Sequence, residues 1–285
     1  MAIQNSLAQK QNQRLGLAAY LTKDAVKDQI NKVVGGKDGQ RFISAIVSAT
    51  TTNPALQECT NQSILSAALL GESLKLSPSP QLGHYYLVPY DNKGNKQAQF
   101  QLGYKGYIQL AIRSGQYKKL NVIAVKEGEL EYFDPLDEEI KINMAVDKWD
   151  ERESLPTIGY YAFFELVNGF RKALYWSKGQ MEAHAMKYSP GFKKDREKGW
   201  SYTFWSKDFD GMAYKTMLRQ LISKWGIMSI ELQTAFEGDM AIINEDGTKD
   251  YIETEDVIGA EIVEQAEPQN QNANEADAAS ALFGN

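Results

Sequence analysis

Apolar residues recur at three- and four-residue spacing through Tyr214, Met217, Leu218, Leu221 and Trp225, which predicts a helix with one buried face. Asp208 or Asp210 offers its N-cap, because a short carboxylate accepts from the first orphan N–H groups. Lys215 and Arg219 stand four apart on a different face, where the pattern places no apolar competitor. Four helical residues rise about 6 Å, a pitch suited to two cations following a phosphate backbone. Trp200, Tyr202, Phe204, Trp205 and Phe209 lead into this helix. Aromatics feeding a one-sided basic helix point to single-stranded nucleic acid.

The same reading orders the rest of the chain. Residues 1–14 are Gln/Asn-rich and read as mobile. Leu15–Val34 predicts a helix stopped at Gly35-Gly36. Its apolar stripe (Leu17, Tyr20, Leu21, Val26, Ile30) is thin, so packing against another subunit stands beside packing at home. Gln40–Ser48 predicts a second helix, Asn53-Pro54 a short helical turn, and Asn61 the cap of a third helix through Leu74, which Ser77–Pro80 stops. His84–Tyr90 and Gln97–Leu102 flank a turn-rich loop and read as a β-hairpin, with Pro89 marking an edge strand. Tyr104–Ser114 reads as helix and Leu120–Lys126 and Thr157–Val167 as strands. Asn168-Gly169 predicts a two-residue turn into Phe170–Trp176. Lys178–Tyr188 follows as helix and 189–199 as a Pro/Gly/Lys loop. Helices, then hairpin-joined strands, then helices predict an α+β fold with an antiparallel sheet core.

Charge sharpens this picture. The formal net charge of −6 conceals a split. Residues 237–285 hold 13 of the 37 acidic groups against Lys249 alone, a net of −12; residues 1–236 carry 30 bases and 24 acids, a net of +6. Between Lys187 and Trp225, nine bases face four acids with nine aromatics interleaved. A basic body with an acidic tail fits a nucleic-acid protein. From Gln265 onward the composition has no periodicity and reads as disordered. The expected divisions are an N-terminal helical segment (1–36) suited to oligomerisation, a DNA-binding core (37–236) and an acidic, largely disordered tail (237–285). A cut after Phe236 is expected to leave the core folded. One cysteine, Cys59, excludes an intramolecular disulfide, and no apolar run reaches membrane-spanning length. The expected location is the cytoplasm.

Catalysis finds little support. Gly35-Gly36-Lys37-Asp38 lacks the spacing and hydroxyl of a phosphate-binding loop. Cys59, His84 and His184 are single and widely spaced, so no metal or other cofactor is expected. Acidic runs at Asp137–Glu139 and Asp147–Glu153 read as solvated, although their spacing leaves a two-metal nuclease open. The basic positions carry more. Phe100–Lys119 contains Lys105, Arg113, Lys118 and Lys119 and no acid, and Gly103 and Gly106 bracket Lys105, where small residues admit a phosphate. Tyr104 offers a ring for base stacking, with Tyr107 and Tyr117 assigned mainly to the core and Trp176, Trp205 and Trp225 to packing.

LGHYYLVPY (82–90) followed by FQLGYKGYIQLAIRSGQYK (100–118) closely resembles the central motif of the RecT family of phage single-strand annealing proteins. The resemblance continues through GYYAFFELVNGF (159–170), AHAMKYS (183–189) and KDFDGMAYKTMLRQLISKWGI (207–227), and so covers roughly 40–235. The distant relative lambda Red beta has a similar lysine-bearing helix, matching Lys215. The resemblance implies ATP-independent annealing of complementary strands by rings or helical filaments, beside a partner exonuclease. It also implies a fold similar to the annealing core of the eukaryotic Rad-type proteins, a curved antiparallel sheet crossed by a long helix.

Annealing physics agrees with the sparse chemistry. Cations must offset the repulsion of two polyanions, and base edges must stay free to pair. Lys105, Lys118, Lys215 and Arg219 are the first expected phosphate contacts, with Lys119, Lys207, Lys193, Lys194 and Arg113 behind them. The helix bearing Lys215 and the segment Phe100–Lys119 are expected to form two walls of a groove. Expected partners are single-stranded DNA, the annealed duplex intermediate, further copies of the chain, the exonuclease and a host single-strand-binding protein, in a bacterial cell carrying a phage or prophage. The chain is expected not to be an enzyme. A non-annealing single-strand binder, a nuclease and a purely structural assembly protein are the rival readings.

Overall fold

The computed structural model describes residues 16–35, 38–92, 94–144, 149–244 and 248–251. The expectations for residues 1–14, Gly36-Lys37, Asp147 and the tail beyond Tyr251 lie outside the described residues. The chain forms two units, one from residues up to Gln101 with Met240–Asp250, the other from Leu102–Asp239. It is α+β with antiparallel sheets and flanking helices, as the order of elements predicts. None of the described helices is long and apolar enough to cross a membrane.

In the first unit, the single helix expected over Leu15–Val34 is two: α1 (Leu17–Leu21) and α2 (Asp24–Val34). The break falls where Lys23 N–H turns back to Tyr20 C=O at 3.2 Å. Val26 and Ile30 of α2 are buried within this chain, so its stripe packs at home. Helix α3 spans Gly39–Thr51, a 3-10 turn follows at Pro54–Glu58, and α4 spans Asn61–Ser73. Thr60, not Asn61, caps α4: its Oγ1 accepts from Ser63 N–H at 3.3 Å. Ile64, Leu65, Ala67, Ala68 and Leu69 leave α4 no polar face, which marks it as the unit's central helix. Strands β1 (Tyr85–Asn92) and β2 (Asn95–Leu102) form the predicted hairpin. Strands β8 (Ala241–Ile243) and β9 (Lys249–Tyr251) extend it to the order β1-β2-β8-β9, with Pro89 on the edge strand. Gly71 of α4 is required here, because a Cβ would overlap the hydroxyl-bearing edge of the Tyr85 ring. That ring stacks on Phe100 with centroids 5.0 Å apart.

The second unit holds a three-stranded antiparallel sheet in the order β3-β6-β7, from Tyr117–Lys126, Thr157–Leu166 and Arg171–Ser177. Tyr160, Ala162 and Phe164 alternate into the core, paired with Ala124, Val122 and Leu120 across the ladder. A second hairpin joins β4 (Leu130–Asp134) to β5 (Glu139–Ile142). Between the closing pair Leu166 and Phe170, the β6–β7 turn has three residues rather than two. Leu166 N–H donates to Phe170 C=O at 2.8 Å, and Gly169, at φ +88°, closes the turn onto Leu166 C=O at 3.0 Å.

Helix α5 is Tyr104–Arg113, α6 is Trp149–Ser154, and α7 is Lys178–Tyr188, fixed by a capping box between Ser177 and Gln180. The expected loop 189–199 is instead helix α8 (Pro190–Lys198). Ser189 caps it, Pro190 opens it, and Gly199 ends it at φ +69°, start and stop signals that outweigh the loop-like composition. After α9 (Phe204–Lys207), helix α10 (Phe209–Trp225) packs across all three strands of the sheet. Its cap is Asp208, whose Oδ1 accepts from Gly211 N–H at 2.9 Å. Met217, Leu218 and Leu221 are fully buried, as the spacing predicts. Helix α11 (Ile230–Gly238) follows. The boundary expected after Phe236 therefore falls inside a helix, with β8 and β9 beyond it.

Candidate nucleic-acid interface

The basic helix is not a free-standing basic face. Lys215 is 7 % exposed, and its Nζ donates to Asp239 Oδ1 at 2.9 Å. Arg219 Nη1 donates to Asp239 Oδ2 at 2.7 Å and to Tyr107 Oη at 3.1 Å. The same aspartate accepts from Tyr107 Oη at 3.0 Å and from Leu102 N–H at 2.9 Å. One carboxylate thus gathers α5, α10, the residue after α11 and the end of β2. Burial works against the Arg219 charge, but Tyr107 and Asp239 outweigh it and hold the guanidinium above its ordinary range. Burial, then Asp239, raises the Tyr107 hydroxyl and keeps it a donor. The set carries two cations against one anion, and the Arg219 side chain is 38 % exposed. Its excess positive charge is presented at that edge.

The space around Lys215 and Arg219, where the pattern places no apolar competitor, holds a carboxylate that the pattern does not disclose: Asp239, 24 residues from Lys215. The two expected walls also pack directly on each other, with the Tyr104 ring against Tyr214 at 5.5 Å and Tyr107 bonded to Arg219. Gly103 and Gly106 are both buried, so their small size serves the turn into α5 rather than an open phosphate seat. Lys105 is exposed beside them, its Nζ 5.9 Å from the Tyr104 ring centroid.

At the start of β3 the cations are outward. Lys118 and Lys119 are exposed and share Glu165, at 2.7 Å and 3.5 Å. Arg171, across the ladder from Glu165, lies 3.7 Å from it. Lys118, by direct hydrogen bonding, holds the Glu165 carboxyl below its ordinary range. Three cations therefore surround one acid on the sheet, a cluster that Phe100–Lys119 alone does not disclose because Glu165 and Arg171 lie on other strands. Arg113, Lys207, Lys193 and Lys194 are all exposed, on α5, α9 and α8 respectively. Tyr117 and Tyr107 are core, and Trp205 is buried against Phe192 and Phe209.

The residues weighed for other chemistry have structural partners. His84 Nδ1 accepts from Ser77 N–H at 3.3 Å, and His184 lies between the Trp176 and Tyr188 rings. Cys59 is buried, which pushes its thiol up to about 12. In the acidic runs, Glu138 pairs with Lys172 at 2.5 Å. Arg152 is buried against Glu129, at 2.6 Å and 3.0 Å. Among the described residues no group of three or more His, Cys, Asp or Glu could hold a metal ion.

The RecT family profile matches residues 40–258. The chain is 40% identical over 281 residues to uncharacterized protein YqaK of Bacillus subtilis strain 168, covering 96% of this chain and 89% of that protein. It is 30% identical over 227 residues to Protein RecT of Escherichia coli strain K12, covering 78% and 79% respectively. With more than half its length matched by the family profile, and with a relative of 30% identity spanning most of both proteins, the chain belongs to the RecT family.

Proposed function

We propose that this chain binds single-stranded DNA and anneals complementary strands in homologous recombination without ATP, as an oligomer or helical filament. Its membership of the RecT family is the observation that carries the reading, since single-strand annealing in recombination is that family's general activity. The outward cations supply the physics. Lys105, Arg113, Lys118, Lys119, Lys193, Lys194 and Lys207 are exposed and suited to phosphate contacts, and Arg219 offers its exposed edge while Lys215 positions it through Asp239. Pairing itself releases the free energy, so no hydrolysis is needed. Backbone contacts leave base edges free to pair. Repetition of a few cations along an oligomer gives a continuous track, and a head-to-tail interface that does not close gives a filament. The partners in this reading are an exonuclease, a host single-strand-binding protein and the annealed duplex intermediate, in the bacterial cytoplasm with a phage or prophage as source. The chain acts without catalysis or cofactor.

Mixing two complementary oligonucleotides with the purified chain tests this. Acceleration without ATP is the expected result; binding without acceleration leaves only the non-annealing single-strand binder. The Glu165 cluster adds a sharper expectation. A phosphate must compete with Glu165 for Lys118 and Lys119, so Glu165→Gln is expected to tighten single-strand binding at low salt. The double change Lys118→Ala with Lys119→Ala is expected to lower the slope of log affinity against log salt by about two, or slightly less for single strands. Titrations at several salt concentrations read both effects. A Glu165→Gln protein with unchanged affinity and a double variant with an unchanged slope would remove this cluster from the interface.

A further inference from the structure

Of the aromatic run that leads into α10, Trp205 is buried and packs on Phe209, but Trp200 and Tyr202 are 43 % and 42 % exposed. Their rings lie together, with centroids 5.4 Å apart. The backbone that carries them is held from beneath by one buried residue, Asp195 of α8. Its Oδ2 accepts from Tyr202 N–H at 3.1 Å, Thr203 N–H at 2.8 Å, Thr203 Oγ1 at 2.8 Å and Ser206 Oγ at 2.7 Å. Its carbonyl accepts from Trp200 N–H at 2.8 Å. Desolvation opposes the charge of this carboxyl, yet the hydrogen bonds from Ser206, Thr203 and Tyr202 keep it below its ordinary range. Five hydrogen bonds thus fix a short segment in which Trp205 is buried while the Trp200 and Tyr202 rings are left facing water, beside a helix carrying Lys193, Lys194 and Lys198. Lys194 Nζ stands 5.5 Å from the Trp200 ring centroid.

We infer that Trp200 and Tyr202 form a stacking platform for unpaired nucleobases, with Lys194 beside it to take the adjoining phosphate. The inference rests on the reading of the chain as a single-strand annealing protein and adds to it a contact with bases rather than phosphates. Stacking occupies the face of a base and leaves its pairing edge open, so the contact is compatible with annealing and insensitive to sequence. The ordering by Asp195 means that little conformational freedom remains to be lost when a base arrives. An interface with a second copy is the other use of exposed rings. Lysine, however, is depleted from protein–protein interfaces, whereas lysine beside an aromatic ring is the pairing that single-stranded nucleic acid requires.

The test uses the full chain and two probes of equal length, a dT oligomer and an abasic oligomer with the same phosphates. The wild type is expected to prefer the dT oligomer. Trp200→Ala with Tyr202→Ala is expected to bind the dT oligomer roughly 10-fold more weakly, to bind the abasic oligomer unchanged, and to keep the wild-type salt slope because no cation is removed. Trp200→Phe with Tyr202→Phe keeps both rings and is expected to restore most of the preference, which separates stacking from any effect of the alanines on folding. An equal dT-to-abasic ratio in wild type and alanine variant overturns the platform while leaving annealing untouched. A changed sedimentation mass with an unchanged ratio also overturns it and assigns the rings to contacts between copies. A wild type that binds neither probe sinks the annealing reading itself, and the platform with it.

Discussion

Asp239→Ala is expected to lower stability by about 3–5 kcal/mol, the cost of leaving a buried charge without its partner. The Lys215 amine would sit in a site 7 % exposed without its carboxylate partner, while Leu102 N–H and the Tyr107 hydroxyl would lose their acceptor. Urea unfolding reads this as a fall in midpoint on the order of 1 M or more. Asp239→Asn keeps one carbonyl oxygen and should fall between the variant and the wild type. Lys215→Met removes the deepest cation and leaves Arg219 to satisfy the aspartate, so its loss should be smaller than that of Asp239→Ala. If Lys215 works by positioning, Lys215→Met should leave the salt slope of DNA binding unchanged, whereas a direct phosphate contact would cost about one unit of slope. Equal urea midpoints for wild type and Asp239→Ala would remove Asp239 from its place at the centre of this unit.

Local patterns carried most of the fold. The Lys178–Tyr188 helix, a cap for α10 at Asp208 or Asp210, the buried face of α10 and the Tyr85–Leu102 hairpin are all legible because spacing and turn chemistry are properties of neighbouring residues. Helix α8 is hidden by composition: Pro190, Gly191 and a run of lysines read as loop, although Ser189, Pro190 and Gly199 stand where a helix would need them. The site was less legible because its decisive groups are long-range. Nothing near Lys215 announces Asp239, and nothing near Lys118 announces Glu165. Asp239 also lies in the acidic C-terminal composition, where charge alone reads as solvated tail. Trp205, assigned to packing from its apolar neighbours, is buried, but nothing in the spacing announces that Trp200 stays exposed. That difference is set by what packs above each ring.

The largest expected effect follows from the place of Asp239 and β8 beyond Phe236. A truncation after Phe236 removes Asp239 together with β8, whose Ala241 pairs with Phe100 and whose approach is fixed by Met240 N–H donating to Phe100 C=O at 2.9 Å. Both units lose an element that other buried groups depend on, so this shortened chain is expected to lose its cooperative unfolding transition and to collect in the insoluble fraction. A truncation after Tyr251 retains those contacts and removes eight acidic residues and no base, a net of −8. That chain is expected to unfold at the wild-type urea midpoint and to bind single-stranded DNA more tightly at low salt. The gain should shrink as salt rises, because the Debye length is about 10 Å at 0.1 M and exposed charges beyond it are screened. The paired comparison distinguishes a structural role from an electrostatic one within a few residues of chain. Two truncations of equal stability would mean that Asp239 and β8 are dispensable. A chain ending at Tyr251 that folds normally but binds DNA more weakly would mean that the acidic residues serve binding rather than oppose it.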